Sequence, residues 1–245
     1  MLEAAGFDLA FELFEPEHDE LAPAVVIVHG FPSGPAGNSY TGMPSLAQRV
    51  AKSLGWVAMS FSFRGVGDSV GDFSLRGWFD DLGMAAEAIA SHERSTGVWL
   101  VGFGTGGALS VCVAAANPEV SGVATIGAPA DFDDWARSPR DLLDWARDRG
   151  AVTNPEFPEN FESWSDELTQ YRAAEAAEDL GDRPLLVMHG SADDVVPALD
   201  ARALADSHGS ASLRILEGSG HNLRHDPRAI AVLLSWLDSQ GTAKG

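Results

Sequence analysis

The sequence contains a single cysteine, Cys112, which excludes an intrachain disulfide and with it a disulfide-stapled secreted fold. It contains no apolar run of the roughly 18–20 residues that a membrane-spanning helix needs. The first residues lack the basic start and the apolar stretch of a signal peptide. These absences predict a cytoplasmic protein without a membrane partner. Cys112 itself is interpreted as a buried core thiol.

Positive charge is also scarce. The chain has 16 basic residues, of which only Lys52 and Lys244 are lysine, against 36 acidic residues, and its formal net charge is −20. A surface this acidic repels phosphate backbones, so nucleic acid is excluded as a partner. The acidity is interpreted as a feature of solubility or of a salty habitat, with a cationic partner as the alternative. Nothing in the composition specifies an oligomeric state.

Short apolar runs, by contrast, are abundant, and they alternate with helical patterns. This alternation predicts one α/β domain over residues 1–245, with a parallel sheet covered on both faces. The predicted core strands are 25–28, 56–61, 98–101, 122–126, 184–188 and 212–216. The predicted helices are 44–54, 77–92, 105–116, 197–207 and 227–237. Leu9, Phe11 and Leu13 alternate with other residues and predict an edge strand or hairpin before the parallel core.

The alternation stops between residues 130 and 180, where no strand pattern occurs. The stretch is rich in acidic and aromatic residues and predicts a helical lid inserted between two core strands. Pro155 and Pro158 are expected to divide it into two helical halves. Trp135 and Trp145 are ten residues apart, close to three helical turns, so they are expected to share a face. Packing onto the sheet and contact with a substrate both remain open for these side chains.

The segment after the third predicted parallel strand has the pattern of a nucleophile elbow, G-x-S-x-G, with one exception. The elbow glycines are Gly102 and Gly106, but the central position is Gly104, which has no side chain. An elbow holds its central residue at positive φ, and small neighbours let the strand and the helix approach each other. Thr105 is a poor alternative centre, because Phe103 would then occupy the first small position.

Four further segments follow recognisable patterns. They are H-G-F-P-S-G at 29–34, S-F-R-G-V-G-D-S at 62–69, H-G-S-A-D-D-V-V-P at 189–197 and G-S-G-H at 218–221. Together with the elbow, and in this order, they resemble the α/β-hydrolase fold family, most of all its small esterases and serine-peptidase-like members. The likeness covers nearly the whole chain except the insertion. It implies a mostly parallel central sheet with helices on both faces.

The resemblance also implies catalytic roles. His221 is expected to be the general base, and Asp193 is expected to fix its tautomer. Asp193 is favoured because it lies three residues after Gly190 and four before Pro197, as in the family's acid loop. Asp194 remains the alternative acid. The nucleophile position falls on a glycine.

Backbone N–H groups of Phe31 and Thr105 are expected to form the oxyanion hole, whereas Pro32 has no N–H to offer. The residues expected to contact a small-molecule substrate or ligand are His29, Ser33, Trp135, Trp145 and Trp164. Arg64 and Asp68 are expected to organise their own loop. No metal-ligand spacing and no dinucleotide fingerprint occurs, so neither a metal nor a cofactor is expected.

Three functions stay open at this point. The first is a non-catalytic or vestigial hydrolase that binds a small apolar or acyl ligand. The second is a hydrolase of esters, peptides or thioesters in which His221 and Asp193 activate a water. The third is a serine hydrolase whose serine at position 104 was deliberately replaced. Loss of a triad serine costs about 10⁶ in kcat, so the serine route itself should be nearly silent.

Overall fold

The structure, a computed structural model, describes residues 2–4, 7–34 and 40–242. A short antiparallel pair of strands comes first, β1 (Leu2–Ala4) and β2 (Phe7–Leu9). The strands of the main sheet are β3 (Phe11–Phe14), β4 (Ala22–Val28), β5 (Val57–Phe61), β6 (Ser95–Phe103), β7 (Val120–Ile126), β8 (Leu185–Gly190) and β9 (Ser212–Leu216). Their order is β3-β5-β4-β6-β7-β8-β9. β3 runs antiparallel to β5, and the other neighbours are parallel.

The described helices connect these strands. They are α1 (Met43–Leu54), α2 (Leu75–Ala90), α3 (Thr105–Ala116), α4 (Asp133–Arg137), α5 (Pro139–Asp148), α6 (Phe161–Asp166), α7 (Ala173–Glu178), α8 (Ala198–His208) and α9 (Pro227–Thr242). Short 3₁₀ turns lie at Glu167–Thr169 and Leu223–His225. None of the helices in the described ranges is long and apolar enough to cross a membrane.

The sheet is buried on both faces. Along β4, Val26 and Val28 join the core beneath α2 and α3, whereas Val25 and Ile27 join the core beneath α1 and α9. Successive side chains of a strand point to opposite faces, so a strand covered on both sides must be apolar throughout. The predicted fold class is therefore confirmed, and the strand expected before the parallel core is β3 at the edge of the sheet.

The segment between β7 and β8 contains α4 to α7 and no strand. Pro155 and Pro158 lie in a non-helical stretch between α5 and α6. The expectation that Trp135 and Trp145 share one helix face is wrong, because the chain breaks between α4 and α5 at Pro139. Proline has no N–H to continue α4, but it suits the first turn of α5. The two indole rings nevertheless lie close together, with centroids 6.4 Å apart.

Candidate active site

The residues singled out from the motifs follow four strands of the parallel part of the sheet, β4, β6, β8 and β9, with β7 between β6 and β8. The 29–31 loop follows β4, Gly104 follows β6, Asp193 follows β8 and His221 follows β9. These strands are parallel, so their carboxyl ends lie along one edge of the sheet. The topology therefore brings all four loops together at that edge.

Gly104 has the backbone conformation of an elbow. Its φ is 51° and its ψ is −125°, a region that residues with a side chain rarely adopt. An ideal Cβ on Gly104 would lie 3.6 Å from the Gly30 Cα and 3.8 Å from the His221 Nε2. These are ordinary van der Waals separations, so no neighbour has moved into the space of the missing side chain. Close packing behind the elbow requires Gly106, whose Cβ would lie 2.2 Å from the His29 carbonyl oxygen.

Asp193 and His221 form a hydrogen-bonded pair. The His221 Nδ1 lies 2.9 Å from the Asp193 Oδ2, and the Asp193 side chain is fully buried. The Asp193 Oδ1 accepts hydrogen bonds from the N–H groups of Val195 and Val196, each at 2.9 Å. Burial alone would raise the pKa of Asp193, but the hydrogen bonds from His189, His221 and the two backbone N–H groups outweigh it. Its pKa therefore lies far below the usual range, and the carboxylate is ionised.

His189 is a second histidine on the same carboxylate, and sequence reasoning assigned it no role. Its Nε2 lies 3.2 Å from the Asp193 Oδ2 and 2.9 Å from the Val196 carbonyl oxygen. The ring is fully buried, and its Nδ1 has no hydrogen-bond partner among the described residues. Burial lowers the pKa of His189, but the hydrogen bonds to Asp193 and Val196 raise it by more. The available signal was position, since His189 opens the acid-loop motif four residues before Asp193.

His29 does not contact the cavity, contrary to the expectation that it binds substrate. Its ring is fully buried against Phe63, Trp78 and Tyr40. The Phe63 N–H donates to the Nε2 at 3.1 Å, so the Nδ1 carries the proton and donates to the Gly30 carbonyl at 2.8 Å. Burial lowers the pKa of His29 to about 4, so the ring is neutral at pH 7. Both ring nitrogens form hydrogen bonds with backbone groups, so His29 connects the loop after β4 to the loop after β5.

Phe31 and Thr105 line the same cavity as Gly104, and the prediction concerns their backbone N–H groups. Neither has a hydrogen-bond partner among the described residues. Thr105 is the first residue of α3, where the helix dipole is positive. That these two N–H groups hold an oxyanion stays a prediction.

A cavity of about 1160 Å³ opens above this site. Phe31, Ser33, Trp135 and Trp145 line it, as do Gly104, Thr105 and His221. The Phe31 ring lies 4.6 Å from the Trp145 ring and 5.3 Å from the Trp135 ring. The segment between β7 and β8 therefore supplies an aromatic wall that faces the elbow.

The polar lining of the cavity carries both signs of charge. Its acidic members are Asp131, Asp133, Asp134, Asp194, Asp200 and Asp226, and its basic members are Arg137, Arg224, His225 and Arg228. Many of these charges are paired, as in Arg228 with Asp226 and Arg137 with Asp134.

Trp164, also expected at the substrate site, lies outside the cavity. Its side chain is almost fully buried, and its indole N–H donates to the Phe73 carbonyl at 3.2 Å. The side chain anchors α6 to the loop before α2, which is a packing role. The sequence shows a tryptophan in the insertion but does not show which side of a short helix faces the cavity.

The remaining residues of interest occupy simpler environments. Asp194 is exposed on the cavity wall, whereas Asp193 contacts His221. Cys112 is buried, and burial raises its pKa to about 12, so no thiolate is available. Arg64 binds Asp81 in a buried ion pair with an N–O distance of 2.5 Å. Within the described ranges, no group of three His, Cys, Asp or Glu side chains is placed to hold a metal ion.

Comparison with known proteins identifies the fold family. A model of the alpha/beta hydrolase family matches residues 25–233, whereas no curated protein matches the chain. Est1E from Butyrivibrio proteoclasticus, bound to ferulic acid, is 18% identical, with a TM-score of 0.76 over 98% of this chain and 96% of that chain. A mutant of the meta-cleavage product hydrolase CumD from Pseudomonas fluorescens IP01, complexed with acetates, is 22% identical, with a TM-score of 0.71 over 98% of this chain and 97% of that chain.

Alpha/beta hydrolase domain-containing protein 10 from mouse is 20% identical, with a TM-score of 0.67 over 95% of this chain and 93% of that chain. At such identities the likeness concerns the fold alone. The family model, however, spans most of the sequence and includes the loops that carry Gly104, Asp193 and His221. The chain belongs to the α/β-hydrolase family.

Proposed function

We propose that this protein binds a small ester or acyl ligand in the cavity and forms no acyl-enzyme with it. The ligand carbonyl lies between the N–H groups of Phe31 and Thr105, and its apolar part lies against Trp135 and Trp145. The observation that carries the proposal is Gly104, which offers no nucleophilic side chain at a position beside the hydrogen-bonded His221–Asp193 pair. Est1E, similar in fold, was solved with ferulic acid bound, which makes a ferulate ester a reasonable first ligand.

The binding proposal is tested with methyl ferulate and the variant Thr105→Pro. Proline is well tolerated at the first position of a helix, and it removes one of the two N–H groups proposed to hold the carbonyl. Loss of one hydrogen bond of about 1 kcal/mol predicts roughly fivefold weaker binding by calorimetry. Trp164→Phe, outside the cavity, is the matched aromatic control and should bind like the native protein. Equal affinity of native protein and Thr105→Pro would contradict the proposed position of the carbonyl.

A second candidate function is hydrolysis by a water that His221 activates. The His221 Nδ1 donates to Asp193, so the Nε2 carries a lone pair, and it faces the space beside Gly104. A water there would attack the bound acyl carbon and give its proton to the Nε2. The oxyanion would lie on the N–H groups of Phe31 and Thr105. As the bond to the leaving oxygen breaks, that oxygen takes the proton from the Nε2, and an acid and an alcohol leave.

Two measurements separate the candidates. The first is hydrolysis of p-nitrophenyl butyrate, and the second is its sensitivity to a fluorophosphonate. Hydrolysis supports the activated water if it is lost in His221→Ala and persists after fluorophosphonate treatment. No hydrolysis above that of His221→Ala supports a protein that only binds. Inhibition together with a covalent fluorophosphonate adduct on the native protein contradicts both, because each requires the absence of a nucleophilic side chain.

A further inference from the structure

We propose that the site accepts a small primary alcohol beside Gly104 and transfers the acyl group of a bound ester to it. The proposal rests on the ester binding proposed above and names a second substrate for the same cavity. Methanol is the smallest alcohol of this kind. Its carbon and hydroxyl correspond to the Cβ and Oγ of serine, with a hydrogen atom in place of the Cα.

The first argument is the pattern of hydrogen-bonding groups. The His221 Nε2 is an acceptor with no partner among the described residues, and it requires an O–H donor. The N–H groups of Phe31 and Thr105 require an acceptor, which the ester carbonyl provides. A carbonyl alone leaves the Nε2 unmatched. A hydroxyl and a carbonyl together satisfy all three groups.

The second argument is space. At the point where a Cβ of Gly104 would lie, the nearest atoms outside the adjoining backbone are the Gly30 Cα and two atoms of the His221 ring, at 3.6 to 4.0 Å. A free alcohol is not bonded to Gly104, so its carbon must lie farther out, at a van der Waals distance of about 3.5–4 Å from the glycine Cα. That displacement is towards the cavity, which is open at this point.

The chemistry balances without an added reagent. The alcohol oxygen forms a bond to the acyl carbon, and its proton passes to the His221 Nε2. The resulting oxyanion is held by the N–H groups of Phe31 and Thr105. It collapses as the bond to the leaving oxygen breaks, and that oxygen takes the proton from the Nε2. One ester and one alcohol enter, and one ester and one alcohol leave.

The test measures the ratio of the ester product to the acid product. The protein is incubated with p-nitrophenyl butyrate and molar methanol, and methyl butyrate and butyric acid are measured by gas chromatography. We expect a ratio of methyl butyrate to butyric acid at least about tenfold above that in buffer, because a positioned alcohol competes better with water than a diffusing one does. tert-Butanol should give no ester. A ratio equal to that in buffer would overturn the proposal.

Two glycine variants serve as controls. Gly104→Ala places a methyl group in the space 3.8 Å from the His221 Nε2 and should return the ratio to that of buffer. Gly83→Ala, within α2 and with nothing within 4 Å of its new Cβ, should keep the native ratio. If methyl ferulate binds but p-nitrophenyl butyrate and methanol give no methyl butyrate, only the alcohol site is refuted. Absence of ferulate binding as well would refute the proposed function.

Discussion

At the scale of single residues, Gly104 has two opposite effects. Its φ of 51° is readily adopted by glycine, whereas any residue with a Cβ is strained there. The same residue leaves His221 without a hydroxyl to activate. The backbone of the site is therefore relaxed, while its hydrogen-bonding groups keep the arrangement of a hydrolase.

The strain is measurable. Gly104→Ala should lower the free energy of unfolding by about 1–2 kcal/mol, because its methyl group fits the space but the backbone does not suit alanine. Gly83→Ala, in the middle of α2, should instead raise it by about 0.5–1 kcal/mol. Urea unfolding of both variants checks the pair. Equal shifts would show that position 104 carries no special backbone strain.

The buried carboxylate gives a prediction that depends on pH. Its folded pKa is lowered, so the stability that Asp193 contributes is present above about pH 4, its unfolded range, and is lost as pH falls below it. Asp193→Asn should therefore lower the free energy of unfolding at pH 7 by about 1–3 kcal/mol. The difference from the native protein should shrink towards pH 3. Asp194→Asn, on the exposed neighbour, should change stability by less than about 0.5 kcal/mol at either pH.

The motifs predicted which residues would meet, but not which side chains would be buried. Asp193 and His221 were placed together from motif order alone, and the structure brings them to 2.9 Å. The substrate role expected for His29 is wrong, and the motif gives no role for His189, because a histidine in a motif can bind a ligand, a carboxylate or a backbone group. Only the tertiary packing of the ring decides among these.

At the scale of elements, the loop after β5 is tied to α2 by a buried ion pair. The Arg64 guanidinium binds both carboxylate oxygens of Asp81, and the Arg64 N–H donates to the same carboxylate at 3.0 Å. The Arg64 carbonyl accepts from the Trp78 indole at 3.0 Å. Arg64 is expected from the sequence to organise its own loop, but these contacts join that loop to α2.

Removal of the Arg64–Asp81 ion pair should lower the stability of the fold. Asp81→Ala breaks the buried ion pair with Arg64 by removing its carboxylate and should lower the free energy of unfolding by about 3–5 kcal/mol. Asp80→Ala is the matched control, because the neighbouring carboxylate pairs with Arg76 on the exposed surface. It should change stability by less than about 1 kcal/mol. Thermal unfolding of both variants distinguishes them, and similar losses would contradict the burial argument.

The helices between β7 and β8 show where element prediction from sequence is weakest. The helices outside this segment were predicted from apolar periodicity, and α3 begins and ends where predicted. Within the segment, the spacing of Trp135 and Trp145 predicts one helix, whereas Pro139 separates α4 from α5. Short helices carry too few turns for periodicity to show which face is buried. Their orientation follows from contacts with Phe31 and Phe73 on distant loops.

At the scale of the whole molecule, the net charge of −20 sets a dependence on salt. Like charges repel each other in the compact state, and salt screens that repulsion. Raising NaCl from about 0.05 M to about 0.5 M should raise Tm by a few degrees, which corresponds to about 1 kcal/mol. KCl should act equally if screening is the cause. A fall in Tm would show that favourable ion pairs outweigh the general repulsion.

The central claim is that the His–Asp pair and the proposed oxyanion donors surround a position that lacks a serine side chain. The most direct measurement is intact-protein mass spectrometry of Gly104→Ser after treatment with a fluorophosphonate. A serine Oγ there would lie within reach of the His221 Nε2, which is 3.8 Å from the Cβ position. We predict one covalent adduct on Gly104→Ser, and none on the native protein or on Gly104→Ser combined with His221→Ala. No adduct on a folded Gly104→Ser protein, or an adduct on the native protein, would contradict the account.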